Sequence, residues 1–216
     1  MYKGEYRWFL LVLVERVTEP ELMCSYLQVK AYAEADFSDT DENIIKKLEA
    51  FLRNKGKKVD ENTSIVDLGC GPGNIAQRIA LKWPSAQILG IDGSEEMLKI
   101  ARRRAALLAD DFDLKGLSYL QTDISLIAKG LVKVPLADIV VSNSLLHHLH
   151  DPLVFWNAIK NVSSCGAIQY HRDLERPASS KEVLEMQRKY LPDSPFALRK
   201  DYIASLHAAF TVIEVR

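Results

Sequence analysis

The chain has no apolar run long enough to form a membrane-spanning helix. Its most apolar stretch, WFLLVLV at 8–14, is far shorter than the about 20 residues that such a helix needs. The charged residues on both sides of it do not resemble a cleavable signal peptide. We therefore interpret the run as a β-strand and expect a cytoplasmic protein with no membrane association.

Cysteine is scarce and scattered. The three residues Cys24, Cys70 and Cys165 are widely separated and form no CxxC pair. This spacing indicates neither a disulfide framework nor a cysteine zinc site, and it favours a reducing compartment. We expect no metal site.

The sequence also lacks an excess of charge of one sign. Twenty-eight basic residues oppose 29 acidic ones, for a formal net charge of -1. The one basic run, Arg102 to Arg104, is interpreted as the solvated face of an amphipathic helix. This balance argues against nucleic acid and anionic membranes as partners.

Apolar strand patterns and amphipathic helix patterns alternate from residue 61 onward. This alternation predicts an α/β fold of the Rossmann-like, doubly wound type, with a mostly parallel sheet and helices on both faces. Residues 1–60 are predicted to form an apolar segment and an N-terminal helical cap, and residues 61–216 the main domain. The five predicted strands are SIVDL, AQILGID, LSYLQTD, ADIVVSNS and GAIQYHRDL.

A glycine-rich turn follows the first of these strands, in SIVDLGCGPGN at 64–74. Gly69, Gly71 and Gly73 lose much backbone entropy on folding, so a plain connection would be an expensive use of them. In a doubly wound sheet, ligands bind beyond the carboxyl ends of the strands, where this turn lies. The turn therefore predicts a ligand in close contact with the main chain.

Three aspartates distinguish the possible ligands. A dinucleotide motif, G-x-G-x-x-G, would require a third glycine at position 74, where the chain has asparagine. Asp67 precedes the turn and would repel a pyrophosphate but attract a cation. Asp92 and Asp123 follow the second and third strands, where they could accept ribose hydroxyls and an adenine amine. The charge pattern favours a cationic nucleoside over a nicotinamide dinucleotide, and Asp92 alone fits both.

The segments VDLGCGPGN, GIDGSEEMLKIAR, QTD and VVSNSLLHHL together resemble the class I S-adenosylmethionine-dependent methyltransferases, over roughly residues 44–173. The resemblance implies S-adenosylmethionine as cofactor and S-adenosylhomocysteine as product. The glycine turn would surround the methionine moiety, and the residues after the second to fourth strands would contact the ribose, adenine and substrate opening. The implied cofactor-binding residues are Asp67, Gly69, Cys70, Gly71, Gly73, Asp92, Gly93, Met97, Asp123, Ile124, Ser142 and Asn143.

The resemblance extends to a small-molecule subgroup in which N-terminal helices cover the active site. Tyr32, Asp36 and Phe37 are candidate lid residues, although the two rings could equally anchor the cap to the sheet. SNSL at 142–145 differs from the Asn/Asp-Pro-Pro-aromatic motif of enzymes that methylate nucleic-acid bases. The stretch WPSAQILGIDGSEEMLKIAR at 83–102, within the predicted cofactor-binding part, is also similar to enzymes that methylate small carboxylic acids, such as trans-aconitate methyltransferase.

The expected reaction is methyl transfer to a small-molecule acceptor by in-line displacement at the sulfonium methyl group. Weak catalytic candidates are His148, as a base or substrate contact, and Arg172, which could bind an anionic acceptor together with His171. His147 and His148 cannot both face the pocket. The alternative is a non-catalytic S-adenosylmethionine-binding protein or partner subunit.

The fold would require further C-terminal strands after the fifth, and we expect these to be missing from the sequence. An exposed fifth strand would then invite pairing with another chain. We therefore predict a homodimer formed through this sheet edge, with the segment at 8–14 as another way to fill it.

Overall fold

A computed structural model describes residues 14–20 and 26–215. The predicted strand at 8–14 and the start of the first predicted helix lie mostly outside these residues. The described chain contains five strands and nine α-helices. In chain order, the elements are α1 (Tyr26–Glu34), α2 (Ser38–Asn54), β1 (Ser64–Leu68), α3 (Asn74–Lys82), β2 (Gln87–Asp92), α4 (Glu95–Leu108), β3 (Leu117–Gln121), α5 (Ile124–Ala128), β4 (Ala137–Asn143), a 3₁₀ turn (Leu146–His148), α6 (Pro152–Val162), β5 (Ser163–Arg172), α7 (Ser180–Tyr190), α8 (Phe196–Ala208) and α9 (Val212–Val215).

The five strands form one sheet in the order β3-β2-β1-β4-β5, and every neighbouring pair is parallel. This arrangement confirms the predicted doubly wound fold. The winding direction reverses between β1 and β4, which opens a crevice at their carboxyl ends. Within the described residues β5 pairs with β4 alone, and no strand follows it.

Apolar side chains cover both faces of the sheet, as a run such as SIVDL at 64–68 predicts. Ile65 packs in one core cluster with residues of α2 and α3, whereas Val66 and Leu68 pack in the opposite cluster with α6. This alternation orients Asp67 toward the same side as Ile65 and places it at the carboxyl end of β1.

Helix α2 belongs to the core rather than lying above it. Ile44, Leu48 and Leu52 are buried in the same cluster as the sheet residues Ile65 and Ile139. Helix α1 instead packs against α4 and α8. A domain boundary at residue 60 therefore separates α2 from the strands it packs against, and it stays a prediction.

The interpretation of Arg102 to Arg104 as a solvated run is wrong for one residue. Arg102 and Arg103 are exposed, but the Arg104 guanidinium donates to Asn74 Oδ1 at 2.8 Å and to the carbonyl of Ala33. It thereby connects α4 to the start of α3 and the end of α1. The amphipathic pattern of α4 predicts that the Arg104 side chain points away from the sheet. It does not predict that α1 packs against this side of α4.

Candidate functional site

A cavity of about 1170 Å³ lies at the carboxyl edge of the sheet. Its floor is formed by the ends of β1, β2 and β4 and by the turns that follow them. Its other walls come from α1, the start of α2, the 3₁₀ turn, α7 and α8. Of the predicted cofactor-binding residues, ten line it: Asp67, Gly69, Cys70, Gly71, Asp92, Gly93, Met97, Asp123, Ile124 and Asn143.

The three turn glycines have different local surroundings, although all have positive φ. A Cβ on Gly69 would lie 2.6 Å from Leu145 Cδ1, so this position packs against the chain after β4. A Cβ on Gly71 would meet nothing within 4 Å and would stand in the open cavity. Gly73, which precedes α3, is not part of the cavity wall. It packs against Gln77 of α3 and Tyr119 of β3.

Asp67 is a buried carboxyl group with an unused acceptor. The residue is 1% exposed, and its Oδ2 has no hydrogen-bond partner. Burial raises the pKa of Asp67 to about 8, against a hydrogen bond from the backbone N–H of Ala76. The group therefore holds a proton at neutral pH, and a cationic ligand beside it would favour the ionised form.

Asp92 connects the glycine turn to the start of α4. Its Oδ2 accepts from the backbone N–H of Gly71 at 2.8 Å, and its Oδ1 accepts from that of Ser94 at 2.8 Å. Burial nevertheless raises its pKa. The backbone of Gly93 also interacts with this carboxyl group. A carboxylate offers about four acceptor positions, so these backbone contacts still leave room for a hydroxyl group of a ligand.

Asp123 also has a structural function, because it caps α5, a helix that the sequence analysis did not predict. Its Oδ1 accepts from the N–H of Ser125 at 2.7 Å, which leaves the second oxygen available. Ile124 and Met97 add apolar surface to the same part of the cavity. Asp92 and Asp123 are thus held by local backbone contacts before any ligand arrives.

The two residues at the end of β4 face different cavities. Asn143 lines the main cavity, and its Oδ1 is buried without a hydrogen-bond partner. Ser142 lies outside that wall, in a second cavity of about 360 Å³, with its Oγ 2.9 Å from His171 Nδ1. Burial lowers the pKa of His171 to about 4, so its ring is neutral and cannot supply a positive charge to an acceptor.

Another part of the cavity wall contains aromatic rings and the Arg172 guanidinium. The rings of Tyr32 and Phe37 are 5.2 Å apart and tilted by 43°, and burial raises the pKa of Tyr32 to about 12, with further contributions from Asp41 and Asp92. The exposed Asp36 also lines this part of the wall. The Arg172 side chain makes no hydrogen bond or ion pair with the described residues, and it lines the cavity with Tyr202.

The adjacent histidines are held by carboxylates that the sequence analysis did not identify. His147 Nδ1 lies 2.5 Å from Asp173 Oδ1, and Asp173 Oδ2 accepts from the backbone N–H groups of Leu145 and Leu146. His148 Nδ1 lies 2.9 Å from Oε1 of Glu19, in the segment 14–20. His147, His148 and Asp173 all line the main cavity, so the expectation that the two histidines cannot both face it is wrong. The 3₁₀ turn that carries them brings their rings to 4.2 Å from each other.

The position of Asp173 could have been found from the sequence, whereas that of Glu19 could not. Asp173 follows β5 as Asp92 follows β2, so the rule that identified the other strand-end carboxylates also applies to it. Glu19 is 128 residues from His147 in the chain, and no local pattern connects the two.

Comparison with known proteins gives the family. Residues 59–196 match the family model described as "Methyltransferase domain". The chain is 32% identical over 138 residues to a trans-aconitate 2-methyltransferase of Methylobacterium nodulans, covering 62% of this chain and 46% of that protein. A similar protein of Azoarcus sp. is 29% identical over 123 residues, with 56% and 44% covered. The chain thus spans about half the length of these relatives.

Solved structures agree on the fold. The plantazolicin methyltransferase BpumL, in complex with S-adenosylhomocysteine, matches with a TM-score of 0.58 at 18% identity, covering 88% of this chain and 62% of that one. A methyltransferase from Aquifex aeolicus matches with a TM-score of 0.54 at 21% identity, covering 72% and 77%. Because the family model matches well over half of the residues, the chain belongs to the methyltransferase domain family, as its resemblance to class I S-adenosylmethionine-dependent methyltransferases predicts.

Proposed function

We propose that the chain binds S-adenosylmethionine and transfers its methyl group to a small-molecule acceptor. The observation that carries this proposal is a pair of buried oxygens without partners, Asp67 Oδ2 and Asn143 Oδ1, whose residues line the same cavity as Gly71. Buried polar groups are almost always hydrogen-bonded, so this pair fits a ligand with donor groups at that position.

The residues present fit the cofactor. The α-ammonium group of the methionine moiety would donate to Asp67 and Asn143. The ribose hydroxyls would use the free acceptor positions of Asp92, and the adenine would lie between Met97 and Ile124, with Asp123 at its edge. When bound, the cofactor supplies a methyl group that its sulfonium already makes electrophilic.

The acceptor would occupy the end of the cavity that contains Tyr32, Arg172 and Tyr202. Arg172 forms no direct ion pair with the described residues in this concave site, although its charge acts on Asp41. It therefore favours an anionic acceptor, because Arg binds carboxylates and phosphates with paired hydrogen bonds. The relatives named trans-aconitate 2-methyltransferase support a carboxylic acid. We therefore propose a small carboxylic acid, and not a nucleic acid, as acceptor.

The chain itself would contribute positioning and exclusion of water. A carboxylate acceptor is ionised at neutral pH and needs no general base. The proposal therefore assigns Arg172 to acceptor binding and does not require His148 as a base.

Ligand binding is tested first, by thermal unfolding with S-adenosylhomocysteine or with NAD. At 100 times its dissociation constant, S-adenosylhomocysteine should stabilise the protein by about 2.7 kcal/mol, and NAD at the same concentration should not. Stabilisation by NAD alone, or by neither compound, would refute the cofactor assignment.

Catalysis is tested next, by following S-adenosylhomocysteine release over a panel of small acids and their neutral amides. An enzyme of the proposed type releases product with at least one acid and not with its amide. Binding without any turnover on a broad panel would support the alternative, a non-catalytic partner subunit.

We also propose a cytoplasmic location and a homodimer through the free edge of β5. No helix in residues 14–20 and 26–215 has the length and apolar character to cross a bilayer. Among residues 14–20 and 26–215, no strand pairs with the outer edge of the ten-residue strand β5, which supports pairing with a second copy. Sedimentation over a wide concentration range should show a monomer–dimer equilibrium, and a monomer throughout would exclude the dimer.

A further inference from the structure

We propose that Glu19, His147 and His148 form a binding site for a divalent transition-metal ion of the zinc class at the acceptor end of the cavity. Within the described residues, one ligand atom from each side chain lies within 4.8 Å of the other two. The side chains are 13%, 3% and 15% exposed, respectively. Only the identity of the molecule that the metal would contact rests on the proposed methyl transfer.

The distances suit one shared ion. Glu19 Oε1 lies 3.7 Å from His147 Nε2 and 2.9 Å from His148 Nδ1. Two ligands of a tetrahedral zinc ion, each at about 2.1 Å from the metal, are about 3.4 Å apart. Shifts of an ångström or so would therefore bring the three atoms onto one ion.

The three ligand atoms already interact in pairs. His148 Nδ1 is buried and lies 2.9 Å from Glu19 Oε1, close enough for a hydrogen bond when the ring carries a proton on that nitrogen, and a cation in place of the proton would use the same two atoms. Such an ion would also bring His147 Nε2 to the same centre.

The surrounding residues hold the ligands in orientations that metal sites require. Asp173 binds His147 Nδ1, which leaves Nε2 for the metal, in the carboxylate–histidine arrangement common around metal ligands. Ser205 Oγ donates to Glu19 Oε1 at 3.1 Å. His150 Nε2 lies 3.0 Å from the Glu19 carbonyl and fixes the backbone there.

Arg16 anchors the segment that carries Glu19. Its guanidinium donates to the carbonyls of Leu149 at 2.7 Å and Ala208 at 2.6 Å, and it stacks at 3.6 Å on Phe210. It also donates to the carbonyl of His147 at 3.3 Å. The segment with Glu19 is therefore held against the 3₁₀ turn by contacts that do not use the three ligand atoms.

Two histidines and one carboxylate leave coordination positions open, as catalytic zinc sites do. Because both histidines line the main cavity, an open position would face the acceptor. The metal would then coordinate an oxygen of an acceptor bound in this cavity.

The test uses the full chain, stripped with a chelator, dialysed and titrated with ZnCl₂ without other ligands. We expect one zinc ion per chain and no binding of MgCl₂ at the same concentrations, because Mg²⁺ prefers an all-oxygen shell. Glu19→Gln and His148→Gln should each weaken zinc binding at least about tenfold. The matched controls His207→Gln and Cys165→Ser, outside the cluster, should leave it unchanged.

The proposed site would be refuted if the wild type bound no zinc. It would also be refuted if Glu19→Gln and His148→Gln bound zinc as tightly as the wild type. Each variant is first checked by thermal unfolding, and if one fails to fold, the other decides. With Co²⁺ in place of zinc, added acetate should change the visible spectrum, and an unchanged spectrum would refute the open position. Binding of S-adenosylhomocysteine is measured separately, so failure of the metal site and failure of the proposed function give different results.

Discussion

Two groups of residues in the main cavity are built in different ways. The cofactor end is the part with Asp67, Asp92 and Asp123, where we propose that the cofactor binds; its residues come from short segments at the ends of β1, β2 and β3. Backbone groups hold two of its carboxylates: Gly71 and Ser94 donate to Asp92, and Ser125 donates to Asp123. At the acceptor end, residues distant in sequence hold one another: Glu19 meets His148, and Asp173 meets His147.

This difference predicts how substitutions affect each end of the cavity. Local contacts fix the cofactor end as soon as the sheet forms, so a change there alters the ligand site directly. The acceptor end depends on the segment 14–20 being docked, so a change far from the ligand can alter it. Loops and termini that a rigid sheet supports are where binding preferences generally vary.

The largest effect is expected from Gly69→Ala. Its φ of +67° is unfavourable for alanine, and the new Cβ would lie 2.6 Å from Leu145 Cδ1 and 3.1 Å from Leu145 Cβ, so rotation of the leucine side chain cannot clear it. We expect a loss of about 2–4 kcal/mol in the free energy of unfolding and no measurable binding of S-adenosylhomocysteine.

Gly71→Ala is the matched control for the fold. It carries the same kind of backbone strain, with φ of +52°, but its Cβ would meet only open cavity. Denaturant unfolding should show a loss of about 1–2 kcal/mol, with ligand binding weakened more than stability explains. Equal stability losses in the two variants would contradict the assigned packing of Gly69.

Asp67→Asn should weaken S-adenosylhomocysteine binding about 100-fold, or 2.7 kcal/mol, because an amide cannot pair with the ammonium group as a carboxylate does. Calorimetry measures the affinity. Asp113→Asn, which removes an exposed carboxylate outside the cavity wall, is the control and should bind as the wild type does.

The Asp67 carboxyl group also makes the free energy of unfolding depend on pH in a defined direction. The pKa of Asp67 is about 8 in the folded protein and lies near its ordinary value of 3.8 when unfolded. The folded state therefore binds the extra proton, and its contribution to stability is lost as the pH rises from about 4 to about 8. Asp67→Asn should lack this part of the decline in thermal unfolding. Ligand binding to the wild type below pH 8 should release a proton, and identical pH profiles would contradict the raised pKa.

The sequence predicted most of the sheet, and ten of the residues it assigns to cofactor binding line the main cavity; their role in binding stays a prediction. Strands buried on both faces and the glycine turn leave local patterns, so β1 to β5 and Asp67, Asp92 and Asp123 could be placed from neighbouring residues alone. Helix α5 was not predicted, because five residues are too few to show a helical repeat. The direction of Ser142, the docking of Glu19 and the contact of Arg104 with Ala33 depend on tertiary packing, which no local pattern encodes.

Arg16→Gln tests whether the acceptor end depends on its docked segment. The variant removes several hydrogen bonds to carbonyls and the stacking on Phe210, and we expect a loss of about 1–3 kcal/mol in the free energy of unfolding. Affinity for S-adenosylhomocysteine should stay within about twofold, because Arg16 contacts His147, Leu149, His150, Ala208 and Phe210, and none of these is proposed to bind the cofactor. Fluorescence-monitored urea unfolding and calorimetry measure the two quantities. A large loss of cofactor affinity would show that the two ends are coupled.

The smallest effect is expected from Arg172→Gln, which removes the charge proposed to bind the acceptor but leaves the fold intact, since the guanidinium makes no ion pair with the described residues. With an acid acceptor, KM should rise about tenfold, or 1.4 kcal/mol, while S-adenosylhomocysteine affinity and kcat change little, because the guanidinium would bind the ground state and the transition state alike. Arg199→Gln, on α8 and outside the cavity wall, is the charge-matched control. A fall in kcat with KM unchanged would instead place Arg172 beside the reacting atoms. Arg172 would then belong with the residues proposed to contact the cofactor, and not with those proposed to bind only the acceptor.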